Sequence, residues 1–242
     1  MNGRNAFFLL VLTLATVIIG EVKANQYRLV TGYLPPWSMT ANDHYPGMFV
    51  EIMREVDRRM GNNTKIEVFP WGRAQYLAEN EPNVILFPLA RLPQREAVYS
   101  WVSYIKPMRM VFVSNKHHEI TEEVARKLSR VMVHKNAPPL FLLQERGFNN
   151  LIGVHDISPK IPHMLRRGRA DAWFTPKDMA DWLWKLNPDV PLPVFSEPLS
   201  TNVLYVAGSK QLPASLVTQI ERIITDMHED GTVEAVIQRY KR

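Results

Sequence analysis

The sequence predicts an α/β fold in which two lobes enclose a ligand cleft. Short apolar strands alternate with helices in two successive series, which is the pattern of βαβ units in a mostly parallel sheet. Extended segments near Val113–Lys116 and Leu199–Val203 are the two places where the chain is expected to cross between the lobes. A wholly apolar run, Val84–Phe87, leads directly into a turn that contains two arginines. A strand that ends in paired cations indicates a site for an anion.

The first series is predicted from apolar spacing and from stop signals. Phe49, Ile52 and Val56 recur at helical spacing, and Gly61 follows as the expected helix end. Pro88 is expected to end the hydrogen-bond ladder of the third strand, because proline has no amide N–H. The predicted elements are a strand at Tyr27–Thr31, a helix at Met48–Met60, a strand at Lys65–Phe69, a helix at Gly72–Asn80 and a strand at Val84–Phe87.

The second series is predicted from capping residues as much as from apolar runs. Thr121 precedes two acids and is expected to cap a helix, and Thr175 is expected to cap another, with Pro176 first and Asp178 in the capping-box position. The predicted strands are Val111–Val113, Arg130–His134, Leu151–His155, Ala170–Thr175 and Asn202–Ala207. The predicted helices start at Thr121, Pro138, Ser158 and Pro176, and two more cover Pro213–His228 and Thr232–Tyr240.

The N-terminal residues predict export. Arg4 precedes an apolar run, Ala6–Ile19, and Val22–Ala24 has the small residues of a signal peptidase site. The run is shorter than the roughly 20 residues that cross a bilayer. The chain has no cysteine and therefore no site for a lipid anchor on cysteine. We expect a signal peptide at 1–24 and a periplasmic, monomeric mature protein that is not a lipoprotein, with the first lobe at 25–113 and 203–242 and the second at 114–202.

Charge and composition narrow the ligand class. The formal net charge is +5, of which the predicted signal peptide contributes +1, and the remaining +4 suits an anionic partner. Lysines and arginines are spread along the chain and no nucleic-acid-binding motif is present, so no nucleic acid partner is expected. The histidines are scattered apart from His117 and His118, and neither a metal site nor a cofactor is expected.

The arginine turn is the main candidate for a binding site. Arg91 and Arg95 follow a strand at its carboxyl end, which is the edge where ligands bind in open α/β sheets. The guanidinium fork matches a carboxylate with two parallel hydrogen bonds. The alternative is that both arginines are solvated, or that one pairs with Glu96, and exposed ion pairs contribute only about 0 to 1 kcal/mol.

Several motifs resemble one family along nearly the whole mature chain. They are Tyr33–Trp37, Gly47 with Val50–Ile52, Arg91–Glu96 with Trp101 and Tyr104, Gly168–Ala172 and Asp230–Thr232. In this order and spacing they resemble the periplasmic solute-binding proteins of family 3, the amino-acid-type receptors of ABC importers. The resemblance implies a type II periplasmic-binding-protein fold that closes on a small solute and delivers it to a membrane permease.

The resemblance also implies a set of ligand-binding residues. Arg95 matches the family arginine that grips an α-carboxylate, and Arg91 matches an extra arginine of one branch. The candidate set is Tyr33, Trp37, Trp71, Pro88, Ala90, Arg91, Arg95, Asn136, Ala137 and Asp178. Trp37 and Trp71 match aromatic walls of the pocket, whereas Asp171 is expected to be structural.

Three departures from the family pattern bear on the ligand. Pro88 and Ala90 stand where the family places small hydrogen-bonding residues, and Asn136–Pro138 replaces a Gly-Thr turn. The acid that neutralises the amino group falls at Pro176, although Asp178 is close. These changes favour a carboxylate or other anion that lacks a free ammonium group.

Two other functions stay open. Some proteins that resemble this family are periplasmic cyclohexadienyl dehydratases, whose chemistry needs an acid with a raised pKa in the cleft. Glu51, Glu96 and Asp178 are the acids placed near it, and none belongs to a recognisable catalytic group, so binding without catalysis is expected. A receptor that presents its ligand to a sensor or chemoreceptor would have the same lobes and pocket.

Overall fold

The computed structural model describes residues 27–40, 44–116, 120–135, 137–155 and 157–241. Within these ranges the strands are β1 Arg28–Gly32, β2 Ile66–Phe69, β3 Val84–Ala90, β4 Ser100–Ser114, β5 Val131–His134, β6 Leu151–Val154, β7 Ala172–Pro176, β8 Val194–Phe195 and β9 Ser200–Gly208. The helices are α1 Met48–Arg59, α2 Trp71–Asn80, α3 Glu122–Lys127, α4 Pro138–Glu145, α5 Ile161–Arg166, α6 Lys177–Lys185, α7 Ala214–Glu229 and α8 Thr232–Lys241, with a 3₁₀ turn at Pro93–Arg95. The predicted signal peptide, Asn136 and the pair His117 and His118 lie outside the described residues.

The sheet contains two parallel units joined by antiparallel strands. Its order is β2-β1-β3-β9-β4-β7-β5-β6, and β8 pairs with β4. Strand β1 is parallel to β2 and β3, and β5 is parallel to β6 and β7. We call the unit of β1, β2, β3, α1 and α2 the first lobe, and the unit of β5, β6, β7 and α3 to α6 the second lobe. The two series in the sequence therefore correspond to two parallel units.

Strands β4 and β9 connect the two units. They pair with each other in antiparallel register from Ser100 to Met110 on β4. From Met110 to Val113, β4 pairs instead with β7 of the second lobe. The partner changes at Met110, just before the crossing expected at Val113–Lys116. The residue boundaries expected for the lobes stay predictions.

Apolar faces of the long helices form the core where their spacing predicts it. Helix α1 buries Phe49, Ile52 and Val56, and α7 buries Ile220 and Ile224 in the same cluster. Burial of a side chain of this size contributes about 1.5 to 3 kcal/mol. The two C-terminal helices pack on α1, so the end of the chain completes the first lobe.

Local expectations at two strand ends are wrong. Strand β3 continues through Pro88 to Ala90, because the residue without an N–H falls where the pairing with β9 shifts register between Leu86 and Leu89. Thr175 is not a helix cap. It lies inside β7, and Pro176 occupies the N-cap position of α6 with no side-chain capping bond.

Other expectations differ only in extent or are confirmed. The strand expected at Val111–Val113 is the end of the fifteen-residue β4, and the helix expected from Ser158 begins at Ile161. The prediction for Thr121 is confirmed, since its hydroxyl accepts a hydrogen bond of 3.2 Å from the amide of Val124. Of the described helices, none combines the length and the apolar character needed to span a membrane.

Candidate functional site

A cavity lies between the two lobes, at the carboxyl ends of strands from both parallel units. Its described lining consists of Leu34, Trp37, Trp71, Pro88, Ala90, Arg95, Met108, His134, Ala137, Pro138, Pro139, Ile157, Thr175, Pro176, Met179 and Leu204. The cavity has a volume of about 60 Å³, and the space that includes its open mouth and adjoining solvent is about 580 Å³. Most of the lining is apolar, and Arg95, His134 and Thr175 supply its polar side chains other than the indole groups. The arrangement suits a small ligand with an apolar body and few charged groups.

Arg95 brings a positive charge into this apolar space. It ends the 3₁₀ turn that follows β3, and its Nη1 donates a hydrogen bond of 3.0 Å to the carbonyl oxygen of Ala90. Burial lowers the pKa of Arg95, while the nearby Tyr99 and Glu79 act in the opposite direction. Arginine keeps its charge at any physiological pH. No ion pair joins Arg95 to a carboxylate of the described residues.

Two tryptophans of the first lobe form walls of the cavity. Trp37 belongs to the loop after β1, which is tied down because Ser38 Oγ accepts a hydrogen bond of 2.9 Å from Thr31 Oγ1. Trp71 is the first residue of α2 and packs on Gly32. A Cβ at Gly32 would lie 2.8 Å from the Trp71 ring, so the glycine makes room for the indole. A side-chain hydrogen bond therefore holds the loop of Trp37, and the absence of a side chain at Gly32 makes room for Trp71.

The Asp178 carboxylate already has a hydrogen-bond partner and an ion-pair partner within the protein. Its Oδ2 accepts a hydrogen bond of 3.0 Å from the Trp37 indole N–H. The same oxygen pairs with the Lys106 ammonium, whose side chain is only 9% exposed. Trp37 belongs to the first lobe, Lys106 to β4 and Asp178 to the second lobe, so this group joins the lobes beside the cavity. We call it the Asp178 cluster.

Prolines occupy the starts of the second-lobe helices that face the cavity. Helix α4 begins with Pro138 and Pro139, and α6 follows Pro176. The amides at a helix start are the usual backbone donors to an anion, and Pro138 and Pro139 remove the first two of α4. In α6 proline stands only at the N-cap, so the amides of its first turn remain. The first turn of α6 also carries Asp178, whose negative charge opposes an anion there. The start of α4 therefore offers apolar surface to the cavity, and α6 adds the apolar side chains of Pro176 and Met179.

The structure brings six of the ten predicted site residues to the cavity. They are Trp37, Trp71, Pro88, Ala90, Arg95 and Ala137. Tyr33 lies at the cleft mouth, Asp178 stands behind the lining, and Asn136 lies outside the described residues. The roles of these residues in binding stay predictions.

Arg91 does not line the cavity. Its Nε and Nη2 donate to the two carboxylate oxygens of Glu96 at 2.9 and 3.1 Å. Its guanidinium carbon also lies 5.3 Å from the ring centre of Trp101 and 5.2 Å from that of Tyr205. The bond to Glu96 raises the pKa of Arg91. This is the ion pair that was the alternative interpretation of the arginine turn.

The fold and the sequence together identify the family. A model of the bacterial extracellular solute-binding proteins, family 3, matches residues 29–242. The chain belongs to this family. No curated protein sequence matches it. The predicted family and the predicted type II periplasmic-binding-protein fold, with two lobes and two crossings, are both confirmed.

Solved structures of several functions share this fold. A substrate-binding protein of an ABC uptake transporter from Streptococcus pneumoniae, with bound histidine, is 13% identical, with coverage of 89% of this chain and 92% of that one and a TM-score of 0.76. A histidine kinase sensor domain similar to periplasmic binding proteins is 16% identical, with coverage of 88% and 95% and a TM-score of 0.76. An ancestral amino acid-binding protein, a precursor of cyclohexadienyl dehydratase, is 18% identical, with coverage of 89% and 96% and a TM-score of 0.73. At these identities the similarity shows the fold alone.

The acids considered for catalysis lie away from the cavity lining of this family 3 chain. Glu51 accepts from the guanidinium of Arg239 and the hydroxyl of Tyr240, and Glu96 pairs with Arg91. Asp178 belongs to the Asp178 cluster. Within the described ranges, no group of three or more histidine, aspartate or glutamate side chains is placed to hold a metal ion.

Ten lining residues were not predicted from the sequence. They include His134, which ends β5, Thr175 and Pro176, which end β7, and Ile157, which follows β6. The rule that ligands bind at the carboxyl ends of parallel strands identifies these positions as readily as it identified Arg95. Met108 and Leu204 lie on the paired strands β4 and β9, and an apolar residue in a strand carries no signal that separates a pocket wall from the core.

Proposed function

We propose that this protein is a periplasmic solute receptor that closes on a small carboxylate with an apolar body and delivers it to the permease of an ABC importer. Membership of family 3 supports binding of a solute, and the N-terminal sequence supports export. One observation carries the ligand class. The Arg95 guanidinium faces an apolar cavity and forms an ion pair with no carboxylate among the described residues.

The energetics favour a carboxylate at Arg95. A hydrogen bond to a charged group contributes about 1.5 to 3 kcal/mol, and the guanidinium can make two in parallel with one carboxylate. Trp37 and Trp71 keep water away from this pair, which strengthens its electrostatic attraction. The closed cavity therefore stabilises a bound anion.

The Asp178 cluster supports a ligand without an ammonium group. The second lobe has an acid close to the cavity, but Lys106 already supplies its positive partner. A ligand ammonium would have to displace a protein ammonium to reach this carboxylate. We therefore propose a carboxylic acid rather than an amino acid as the ligand.

The absence of acids from the described lining favours binding over dehydration. A dehydratase needs a general acid or base within reach of its substrate. The described lining has no carboxylate, and its one imidazole, that of His134, already donates from Nε2 to the carbonyl oxygen of His155. The receptor function is thus better supported than the dehydratase function.

Calorimetry with matched acids tests the proposal. The probes are 3-phenylpropanoate and 4-methylpentanoate, together with phenylalanine and leucine, which have the same carbon skeletons plus an amino group. We expect at least one amino-free acid to bind, and to bind more tightly than its amino acid partner. We expect Arg95→Ala to weaken that binding by roughly 10- to 150-fold, the equivalent of about 1.5 to 3 kcal/mol.

Arg91→Ala is the matched control, because it removes an arginine of the same turn that faces away from the cavity. We expect it to change affinity by less than about twofold, since its ion pair is exposed. Equal affinity of wild type and Arg95→Ala, or tighter binding of the amino acids, contradicts the proposal. Loss of uptake of the bound acid in a deletion strain supports the importer. A lost signalling response with intact uptake indicates a sensor partner instead.

A further inference from the structure

A second polar region lies at the mouth of the cleft, outside the cavity around Arg95. On the first-lobe side its lining is Tyr33, Leu34, Pro70, Trp71, Gly72 and Gln75. On the second-lobe side it is His134, Lys135, His155 and Ile157. Leu34, Trp71, His134 and Ile157 belong to both linings, so the mouth and the inner cavity are continuous. A ligand anchored at Arg95 can therefore extend along these shared residues to the mouth.

Three basic side chains meet on the second-lobe side of the mouth. Lys135 Nζ lies 3.3 Å from Nε2 of His155. Nε2 of His134 donates a hydrogen bond of 2.8 Å to the carbonyl oxygen of His155. These residues stand at and just after the carboxyl ends of the parallel strands β5 and β6. We call His134, Lys135 and His155 the mouth cluster.

The mouth cluster has an uncompensated positive charge in the described structure. No described carboxylate forms an ion pair with Lys135, and no acid is among the described lining residues of the mouth. Asp156 follows His155 in the sequence and lies outside the described residues. A lysine ammonium that shares its surroundings with two imidazoles attracts an anion.

A glycine fixes the path of the lysine. Gly153 of β6 pairs with Val133 of β5, beside the end of that strand. A Cβ at Gly153 would lie 2.4 Å from Cγ and 2.7 Å from Cε of Lys135. The aliphatic stem of Lys135 thus occupies the space that a side chain at position 153 would take. This contact directs the stem of the exposed Lys135 along β6.

We infer that the ligand is a two-ended anion, with one carboxylate at Arg95 and a second carboxylate at the mouth cluster. Its apolar body would lie between them, along Trp71, Leu34 and Ile157. This inference rests on the proposed function and narrows it from monocarboxylates to dicarboxylates with an apolar spacer. The first lobe then supplies the inner anion contact, and the second lobe supplies the outer one.

Calorimetry with straight-chain acids tests the second contact. The probes are the α,ω-dicarboxylates from glutarate to suberate and the monocarboxylates with the same numbers of carbon atoms. We expect one dicarboxylate to bind about tenfold or more tightly than the monocarboxylate of its length, because a second charge-assisted pair forms. We expect Lys135→Met to abolish this preference while the affinity for the monocarboxylate stays unchanged.

Two further variants test whether the position of the Lys135 ammonium matters, or only the total positive charge of the protein. Gly153→Ala retains every charge but obstructs the stem of Lys135, and it should reduce the preference for the dicarboxylate. Lys65→Met removes a lysine from just before the start of β2, at the opposite end of that strand from Trp71, and it should leave the preference intact. Thermal unfolding of each variant shows whether it is folded.

The outcomes distinguish the two proposals. Monocarboxylates that bind and respond to Arg95→Ala, with no dicarboxylate preferred at any length, overturn the two-ended ligand and leave the receptor proposal standing. A preference that survives Lys135→Met also overturns it. Failure of every mono- and dicarboxylate to bind, or binding that ignores Arg95→Ala, overturns both.

Discussion

The two lobes contribute to the cleft in opposite ways. The first lobe places a half-buried guanidinium and two indole rings on elements that are held in place, by the close contact at Gly32 and by a side-chain hydrogen bond at the loop of Trp37. The second lobe starts its cavity-facing helices with prolines and keeps its one nearby acid paired with Lys106. In the proposed function, charge recognition in the inner cavity therefore belongs to the first lobe, and the second lobe provides apolar surface there and basic groups at the mouth.

In the proposed function, this difference gives the receptor fold another ligand class without a change in its architecture. The Lys106 ammonium neutralises the Asp178 carboxylate, which would otherwise attract a positively charged group of a ligand. Prolines at helix starts remove amide donors at no cost to the helix, since these amides have no partner within the helix. Both changes are confined to side chains and helix ends, so they do not require any change in the strand order or pairing of the sheet.

The largest effect is expected where the first lobe fixes the Trp37 loop. Gly47 has φ +108°, and a Cβ there would lie 2.5 Å from Cα of Ser38 and 2.7 Å from the carbonyl oxygen of Trp37. We expect Gly47→Ala to lower the free energy of unfolding by about 3 kcal/mol, because backbone atoms would have to move. Chemical denaturation measures this loss.

Gly61→Ala is the matched control for backbone conformation. Gly61 also has a positive φ, +76°, but nothing lies within 4 Å of the position of its Cβ. We expect a smaller loss of about 1 kcal/mol from the left-handed conformation alone. Equal losses of unfolding free energy in the two variants would show that the Trp37 loop is not held rigidly. That result would contradict the claim that the first lobe holds its site residues on fixed elements.

The next effect concerns the second lobe and its paired acid. Lys106→Met removes the ammonium that neutralises Asp178 and leaves the carboxylate available to the cavity. We expect the affinity ratio of leucine to 4-methylpentanoate to rise about tenfold, the equivalent of about 1.4 kcal/mol. Competition calorimetry with the two ligands measures this ratio.

Lys106→Arg is the conservative control for this prediction. It retains a positive charge beside Asp178, and we expect the ratio to stay near that of the wild type. An unchanged ratio in Lys106→Met would mean that Asp178 takes no part in selectivity. Discrimination against a ligand ammonium would then depend on the charge of Arg95.

The smallest effect is expected at the aromatic wall. A Cβ at Gly32 would lie 2.8 Å from the ring of Trp71 and 3.1 Å from its Cα, so Gly32→Ala displaces the indole. We expect affinity for the bound acid to fall about fivefold, with about 1 kcal/mol of lost stability from overpacking. Titration calorimetry and denaturation provide the two readings.

Gly72→Ala provides the comparison within the same wall. Gly72 follows Trp71 in α2 and has nothing within 4 Å of its Cβ position. We expect unchanged affinity and equal or higher stability, because alanine favours a helix by up to about 1 kcal/mol over glycine. If both variants bind as the wild type does, the position of Trp71 is not critical to the site.

Local pattern predicts the elements of this fold well, and non-local contacts account for what it missed. The sequence predicts α1 and the strand after it correctly, because the apolar pattern of each element lies within a few neighbouring residues. The early part of β4 was not, because its sequence includes Lys106 and Pro107 and its strand character depends on pairing with β9, which is distant in sequence. The two-residue β8 has no sequence signal of its own.

The same distinction applies to the site. Arg95 and the tryptophans were predicted from motifs and from the strand-end rule, and they line the cavity. Lys106 and Asp178 are separated by 72 positions, and neither residue's neighbours in sequence indicate the other. The mouth cluster lies at strand ends, so the rule that led to Arg95 would also have led to His134 and Lys135.

The hydrogen bond from Trp37 to Asp178 gives the molecule an internal optical reporter. The indole donates to a charged acceptor that belongs to the other lobe. In the proposed function the lobes separate to release the ligand, and that charge then leaves the edge of the ring. Indole emission responds to charge and to water at close range. The difference spectrum between the wild type and Trp37→Phe isolates this signal, so opening can be followed in solution without any attached dye.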